Sequence, residues 1–346
     1  MSSSEKRKRD HIDLVLNEDV ERGDAGFDEY QLLPESFPEL SIEAVDTSVT
    51  FLGHRLSFPF IINSMSGGLG DTDNLNELFA EFAQFEKLGL GLGSIRPCLD
   101  DRKYLKEFDV RDSCPQIPLL ANAGAWQLRD KSVRNELLDL IMQLRVDGVF
   151  IHVNAAQELL QPEGERDFVG GLEATCDFAR LCPIPVFVKE VGNGLSTVRL
   201  GELISAGVRG VDVAGLGGTN FVAVESHRNQ DPLMRRISND LAKIGVPTAP
   251  AIAGLREWLK DLENPDTGHL YLIGSGGIRT PADVAKALAL GADLTAAAAP
   301  MLKAANRGRK WLTAQVSYFR YGLKCIMLLT GSKKISDLRG KAYSPQ

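Results

Sequence analysis

Short apolar runs recur along the chain, each followed by a turn signal and then by a helix-like amphipathic stretch such as 133–145, 197–207 or 281–292. The runs are continuous rather than alternating, which is typical of parallel strands that are covered on both faces. They begin at Pro59, Leu88, Ile117, Asp147, Pro185, Gly207, Val246 and Leu270. Eight strand–helix repeats over roughly 250 residues predict an α/β fold of the (β/α)8 barrel (TIM barrel) type. An open doubly wound sheet is the alternative, and the lack of a GxGxxG dinucleotide motif favours the barrel.

The segments outside these repeats predict the domain organisation. Residues 1–58 are interpreted as an irregular N-terminal extension over or beside the barrel, and residues 59–346 as a single barrel domain. Residues 220–245 form a long connection after the sixth strand, with a helix of its own and the length to act as a lid. From Pro300 onward the pattern predicts terminal helices that close the barrel.

Composition and charge narrow the functional class. Five scattered cysteines without a CxxC pair argue against a disulfide framework or a zinc site and favour a reducing cytosol. No signal peptide and no apolar run of about 18 residues is found, so no membrane association is expected. The net charge of -7 gives no reason to expect a nucleic-acid partner. The basic "KRKR" near the N-terminus is by default a solvated tail.

Small and polar residues stand at the predicted strand ends. Barrel enzymes place their chemistry at the C-terminal ends of the strands, so these residues should share one mouth. They are Met65, Ser66, Gly67, Gly68, Ser94, Asn122, His152, Asn154, Lys189, Gly217, Gly218, Thr219, Gly276, Gly277, Ile278 and Arg279. The polar half of "DGVFIHVNAAQELLQP" is then one wall of a pocket.

Glycines end the sixth and last predicted strands, in "AGLGGT" and "GSGGIR". Glycines expose backbone N–H groups, and the last strands of a barrel with an extra helix N-terminus commonly bind phosphate. The alternative is that the glycines only make tight turns. Arg279 beside them favours a phosphorylated ligand.

Lys189 ends an otherwise apolar strand, "PVFVKEV". A buried charge needs a partner, so this lysine could form a Schiff base, pair with a phosphate or stabilise an anionic cofactor. Neutralisation by Glu190 is the weaker interpretation, because adjacent strand residues face opposite sides.

Gln157 and Glu158 begin the helix that follows the fourth strand. They either complement the helix dipole or, beside a diphosphate, supply one carboxylate to a Mg2+ ion that keeps several waters. For His152, a hydrogen-bonded core histidine is the alternative to a site residue.

Ordered motifs connect the chain to a known family. They are "RKRDHI", "MSGG", "GSIR", "ANAGA", "HVNAAQELLQPEGERDF", "VKEVGNG", "DVAGLGGTNF" and "SGGIR…ALALGA", between about residues 5 and 335. In this order they resemble the type 2 isopentenyl diphosphate isomerases, which are FMN-dependent barrel enzymes.

The resemblance implies a set of site residues. Those at FMN-binding positions are Met65, Ser66, Gly67, Ser94, Asn122, Lys189, Thr219, Gly277, Ile278, Arg279, Ala298 and Ala299. Those at positions that bind the diphosphate substrate are Arg7, Lys8, Ser94, Arg96, His152, Asn154 and Gln157. Glu158 occupies the Mg2+ position, and Gln157, His152 and Lys189 are the implied catalytic residues.

The resemblance also implies the activity. It is the interconversion of isopentenyl and dimethylallyl diphosphate, with reduced FMN as acid and base and NAD(P)H used only to keep the flavin reduced. Lys189 would stabilise the anionic reduced ring, and Gln157 would orient or relay near the alkene. Arg7 and Lys8 would fold over the diphosphate, from the same or a neighbouring subunit. The family is cytoplasmic and assembles as tetramers or octamers.

Two departures from the family pattern keep other functions in view. Ile95 stands where the family has Gln in its GSQR motif, and Ala214 replaces a hydroxyl residue before the glycines. The alternatives are an enzyme for a different allylic diphosphate and a flavin-binding paralogue without catalysis. An FMN oxidase of the hydroxy-acid type, or an inosinate dehydrogenase type, should carry a late His–Arg pair or a loop cysteine, and neither is evident.

Overall fold

Eight parallel strands form the closed barrel of the computed structural model, which describes residues 3–65, 75–265 and 267–345. The described residues form twelve strands in all. They are β1 (Gln31–Leu32), β2 (Val49–Phe51), β3 (His54–Leu56), β4 (Phe60–Ile62), β5 (Gly89–Gly91), β6 (Leu119–Gly124), β7 (Gly148–His152), β8 (Val186–Lys189), β9 (Val208–Asp212), β10 (Tyr271–Ser275), β11 (Leu294–Ala297) and β12 (Ala342–Tyr343). Of these, β4 to β11 make the barrel, while β1 pairs with β12 and β2 with β3. Strands β4 to β11 follow one another around the barrel, and β11 pairs with β4 to close it. The predicted barrel is confirmed, and the open sheet is excluded.

Helices surround the barrel and extend from both of its ends. They are α1 (Ser3–Asn17), α2 (Leu75–Glu86), α3 (Arg96–Asp100), α4 (Leu105–Phe108), α5 (Lys131–Gln143), α6 (Ala155–Leu160), α7 (Gly171–Leu181), α8 (Leu200–Ser205), α9 (Phe221–Arg228), α10 (Pro232–Leu241), α11 (Thr248–Lys260), α12 (Pro281–Ala289), α13 (Ala299–Asn306) and α14 (Arg309–Leu329). The three amphipathic stretches predicted from the sequence correspond to α5, α8 and α12. No described helix is both long and apolar enough to cross a membrane.

One predicted strand is wrong. The run from Val246 was expected to be the seventh strand, but it leads into helix α11. The last barrel strand is instead β11, in the alanine-rich segment after Asp293 that was expected to follow the final strand. Alanine favours helices and is depleted in strands, so local preference conceals this strand.

Strand alternation divides the barrel interior into two layers. The lower layer is apolar and fully buried, and it contains Ile61, Leu120, Phe150, Phe187, Ile273 and Leu294. Side chains on one face repeat with a period of two, and two residues farther along the inward residue is polar on all of these strands except β11, where it is Ala296. This upper layer contains Asn63, Asn122, His152, Lys189 and Ser275, and β9 adds Asp212. The apolar layer seals one end of the barrel, and the polar layer faces the other.

The N-terminal extension covers both ends of the barrel. It was expected to be irregular, but it contains helix α1 and the hairpin β2–β3. Hairpin β2–β3 inserts Phe51 and Leu56, both fully buried, against the apolar layer. Helix α1 lies at the opposite end, where Ile12 and Val15 pack in a cluster with Leu302 of α13. Three-residue spacing places these two side chains on one face of α1, and that face attaches the helix to the barrel mouth.

The remaining connections are helical. The segment 220–245 contains α9 and α10, one helix more than predicted. Helices α13 and α14 close the chain against the barrel as expected, with the ring of Phe319 5.3 Å from that of Phe60.

Candidate active site

A cavity that is partly open to solvent lies at the C-terminal ends of the barrel strands. Every described residue that the family resemblance assigns to the site lines it. These are Arg7, Lys8, Met65, Ser94, Arg96, Asn122, His152, Asn154, Gln157, Glu158, Lys189, Thr219, Gly277, Ile278, Arg279, Ala298 and Ala299. Ser66, Gly67 and Gly68 lie outside the described residues. The structure brings the predicted set together, and the role of each residue stays a prediction.

Asp212 anchors the polar floor of the cavity. Its fully buried carboxylate accepts hydrogen bonds from Asn63 Nδ2 at 2.9 Å and Ser275 Oγ at 2.5 Å. Lys189 Nζ lies 4.0 Å from Asp212 Oδ2, and Lys189 and Asp212 are paired in register across β8 and β9. Sequence reasoning did not select Asp212, although a carboxylate at the end of the neighbouring strand is the signal to look for.

The Glu190 carboxyl does not pair with the Lys189 ammonium. This agrees with the expectation that adjacent residues of a strand face opposite sides. Lys189 Nζ donates to the backbone oxygen of Glu190 at 2.7 Å. The Glu190 carboxyl faces the following loop, where Val191 N and Asn193 N donate to it at 2.7 and 2.6 Å. Burial raises the pKa of Glu190 to about 7.

His152 faces the cavity rather than the core. Its Nδ1 lies 2.6 Å from Asn122 Oδ1, so the amide oxygen can accept the Nδ1 proton. Burial, followed by the charges of Lys189 and Arg96, lowers the pKa of His152 to about 3. The imidazole is therefore neutral near pH 7, with Nε2 as an acceptor when Nδ1 carries the proton.

Helix α1 places two basic side chains in the cavity from the same chain. Arg7 NH1 is 3.6 Å from Glu163 Oε1, and Lys8 Nζ donates to the backbone oxygen of Ser94 at 2.7 Å. Burial, followed by the charge of Arg7, lowers the pKa of Lys8 to about 7. The solvated-tail interpretation is wrong for these two residues. Clustered cations that lose hydration here favour an anionic ligand.

The wall made by α6 is held by amide hydrogen bonds. Asn154 Nδ2 donates to Gln157 Oε1 at 3.1 Å and to Glu158 Oε1 at 3.0 Å, and Glu165 N donates to Glu158 Oε2 at 2.9 Å. The described residues contain no group of three or more His, Cys, Asp or Glu side chains that could hold a metal ion. A cation at Glu158 would therefore need oxygens from a ligand and from water, as Mg2+ commonly does.

Glu225 of α9 is a second buried carboxylate that sequence reasoning missed. It is fully buried and lies 2.8 Å from His11 Nε2, 3.4 Å from Gln157 Nε2 and 2.5 Å from Arg228 NH1. Burial alone would raise the pKa of Glu225, but the hydrogen bond and charge of His11, with the charge of Arg228, leave it lowered. Through these contacts α9 fixes both α1 and the Gln157 amide.

Four buried side-chain nitrogen and oxygen atoms have no hydrogen-bond partner among the described residues, and all four belong to residues that line the cavity. They are Ser64 Oγ, Trp126 Nε1, Asn154 Oδ1 and Gln161 Nε2. A buried polar group without a partner costs about 1–3 kcal/mol. Their concentration on one cavity indicates that it is built for a polar ligand. Only Asn154 was predicted from the sequence.

Glycine-rich loops after β9 and β10 form the end of the cavity near α13. A Cβ on Gly218 would lie 2.6 Å from Gly277 N, and Gly277 itself has φ +75°. The backbone N–H groups of Gly277 and Ile278 donate to no described residue. The Arg279 guanidinium is ion-paired with Glu21 at 2.5 Å. The glycines thus allow the two loops to cross closely and also leave N–H groups for a phosphate.

This cavity fits FMN. The open N–H groups beside α13 suit its phosphate. The polar floor presents Lys189 at the position where an anionic ring could be bound, and Ser64 Oγ is a further unpaired group beside Met65.

The two departures from the family pattern differ in position. Ile95 is fully buried in the main core and is not among the described residues that line the cavity. Ala214 does line the cavity and has φ +39°, with its oxygen accepting from Gly192 N and Gly194 N at 3.0 Å each.

Solved structures share the fold at low sequence identity. A putative lactate oxidase from Pediococcus acidilactici superposes with a TM-score of 0.71 at 17% identity, covering 99% of this chain and 94% of that one. A mutant mandelate oxidase with a monooxide FMN adduct gives a TM-score of 0.65 at 13% identity, covering 97% and 98%. These likenesses show the barrel fold alone.

Sequence relatives show the family. The sequence profile of FMN-dependent dehydrogenases matches residues 172–345. A protein from Archaeoglobus fulgidus is 37% identical over 340 residues, covering 98% of this chain and 95% of its own length. One from Paracoccus zeaxanthinifaciens is 39% identical over 339 residues, covering 96% and 95%. Both bear the name isopentenyl-diphosphate delta-isomerase. With such identity over nearly its whole length, the chain belongs to the FMN-dependent isopentenyl-diphosphate delta-isomerase family.

Proposed function

We propose that this protein interconverts isopentenyl and dimethylallyl diphosphate, using FMN, Mg2+ and NAD(P)H as reductant. The observation that carries the proposal is that one cavity joins the Lys189–Asp212 floor to a cationic rim of Arg7, Lys8 and Arg96. The floor suits a flavin ring, and the rim suits a diphosphate. An alkene attached to that diphosphate would lie between them.

The reaction adds a proton at one carbon and removes another from its neighbour. Because an unactivated alkene resists protonation, the site must exclude water and align the reacting atoms. Bound reduced FMN would supply the acid–base chemistry. Lys189 would bind the anionic edge of the ring, and its own position is fixed by Asp212.

Gln157 is held rather than free to rotate. Its Oε1 accepts from Asn154 and its Nε2 donates to Glu225. An amide is a poor acid, so its role is to orient the substrate or a water near the alkene. Neutral His152 would accept or share a proton at Nε2 when the diphosphate binds.

The diphosphate would be bound by charge-assisted hydrogen bonds from the basic rim. Glu158 would hold Mg2+ together with phosphate oxygens and water. The use of NAD(P)H, the cytoplasmic location and the tetrameric or octameric assembly stay predictions from the family resemblance.

The test uses the purified full-length protein with its bound yellow chromophore identified. After anaerobic reduction with NADPH or dithionite, isopentenyl diphosphate and Mg2+ are added in D2O, and products are followed by NMR. We expect dimethylallyl diphosphate with deuterium incorporated. A reduced flavoprotein that leaves isopentenyl diphosphate unchanged would contradict the proposal.

A variant tests the assignment of Gln157. Gln157→Ala should retain FMN but lose turnover by about 100-fold, the lower range for a group that positions a proton transfer. Near-normal turnover in Gln157→Ala would show that our role for this amide is wrong.

A further inference from the structure

Two unpaired nitrogen donors lie on the cavity wall formed by the loops after β6 and β7. We propose that Trp126 Nε1 and Gln161 Nε2 bind the terminal phosphate of the diphosphate substrate. This inference rests on the proposed function and extends it to two residues that the family resemblance did not assign. Both nitrogens are buried and have no partner among the described residues.

Gln161 continues the polar face of α6. It directly follows the last residue of α6, and its N–H donates to Gln157 O at 3.0 Å, so the last turn still places its side chain on the side of Gln157 and Glu158. Four residues of helix advance about 6 Å, so Gln161 lies one turn farther from the strand end than Gln157. Gln161 is 2% exposed, and Arg166 NH2 donates to its backbone oxygen at 2.9 Å.

Trp126 is fixed in position by its own packing. It belongs to the 3-10 helix Ala125–Arg129, and its ring meets that of Phe168 edge-on at 4.8 Å between centroids. A Cβ on Gly171 would come within 2.2 Å of the indole, so a glycine at this position leaves room for the ring. The indole N–H is therefore a hydrogen-bond donor whose position is fixed before a ligand binds.

The loop after β6, which contains Trp126, is connected to the segment after β7, which contains Gln161. Arg129 forms an ion pair with Glu165, and Glu165 N donates to Glu158 Oε2 at 2.9 Å. Arg7 joins the same region, because its guanidinium lies 3.6 Å from Glu163 Oε1. The outer end of the cavity therefore combines one cation with two neutral donors.

The chemistry of the donors selects the ligand group. Indole offers only a donor, and the unpaired Gln161 atom is also a donor, so the missing partner is an acceptor. The isopentenyl chain is a hydrocarbon and has no acceptor, whereas each phosphate has several. The alkene must reach the barrel axis, so the phosphates extend outward and the terminal one meets Gln161. An inner phosphate would lie nearer Gln157.

The experiment compares isopentenyl diphosphate with isopentenyl monophosphate. Trp126→Phe removes the N–H but keeps an aromatic ring against Phe168, and Gln161→Leu removes the amide at similar volume. Trp258→Phe, in a helix that packs on the core outside the cavity, is the matched control. Dissociation constants are measured by calorimetry on the FMN-loaded protein with Mg2+, and flavin content is checked for each variant.

We expect each cavity variant to bind the diphosphate about 10-fold more weakly, as for the loss of one hydrogen bond to a charged group. Monophosphate affinity and flavin content should stay unchanged, and Trp258→Phe should match the wild type. Unchanged diphosphate affinity would overturn the proposal, and so would an equal loss for both ligands.

Inorganic pyrophosphate separates this inference from the proposed function. If the wild type binds pyrophosphate and the two variants bind it about 10-fold more weakly, the phosphate assignment stands even when isopentenyl diphosphate is not a substrate. If the wild type isomerises isopentenyl diphosphate and the variants bind pyrophosphate normally, the assignment fails and the function stands.

Discussion

At the scale of single residues, the site depends on charged side chains that can be buried only when each is paired with an opposite charge. Lys189 is 5% exposed and Asp212 is fully buried, so neither charge has water as an alternative partner. Asn63 and Ser275 each donate a hydrogen bond to one oxygen of the carboxylate. The lysine therefore enters the cavity with a fixed position.

Asp212→Asn should destabilise the protein by about 3–5 kcal/mol, because it leaves the buried Lys189 ammonium without its counter-charge. The double variant Asp212→Asn/Lys189→Met should recover part of that loss, since it removes the unpaired charge. Urea unfolding of the two variants and the wild type, all without flavin, measures both effects. A double variant no more stable than Asp212→Asn would show that the pair is not coupled.

At the scale of elements, the loops after β9 and β10 form the end of the cavity that would bind the FMN phosphate. These loops approach each other with no described side chain between them. Gly218 of the β9 loop lies against the backbone of Gly277 in the β10 loop. Ala25 of the N-terminal extension packs on Gly277 from above, and Gly217 N donates to Arg22 O at 2.8 Å. Loop separation is therefore set by three backbones.

Gly218→Ala should lower FMN affinity and cost about 1–3 kcal/mol in stability, because its Cβ would lie 2.6 Å from a backbone nitrogen and force the loops apart. Gly254→Ala is the matched control. That helical glycine faces open space, and alanine there should stabilise by about 0.5–1 kcal/mol. Flavin content and FMN fluorescence quenching report the affinity, and equal FMN affinity in both variants would contradict the close-crossing explanation.

At the scale of the whole molecule, the two ends of the barrel are built for different purposes. The mouth contains unpaired polar atoms, whereas the opposite end has a closed ion-pair network around Asp293. His269 Nε2 lies 3.1 Å and Arg256 NH2 2.5 Å from this carboxylate, and Leu272 N donates to it at 2.9 Å. Barrels commonly use this end for stability.

His269 should make stability depend on pH. Its hydrogen bond with Asp293 raises the pKa of the imidazole, so the stabilisation is complete below the unfolded pKa of about 6.5 and is lost as pH rises through the folded value. His269→Gln should therefore lower the melting temperature more at about pH 5.5 than at about pH 8.5. Equal decreases at both pH values would contradict this assignment.

Sequence reasoning found about half of the residues that line the cavity and only part of the groups that hold them in place. Lys189, His152 and Glu158 could be selected because a polar residue at the end of an apolar strand or the start of a helix is locally conspicuous. Asp212 and Glu225 could not, since their importance comes from neighbours distant in sequence, Lys189 for the first and His11 and Gln157 for the second. Trp126 and Gln161 are recognisable only in the structure, because each has a buried side-chain nitrogen without a hydrogen-bond partner in the described part of the chain.

The sequence by itself determined the barrel, its polar mouth and the family, because strand repeats, alternation and ordered motifs are local properties of the chain. The tertiary structure decided which segment is the last strand, where α1 inserts Arg7 and Lys8, and that Ile95 is core rather than cavity. The physical reason is that burial and pairing depend on long-range packing. The local conformational preference of a side chain is the same whether it packs in a core, pairs with an opposite charge or binds a ligand.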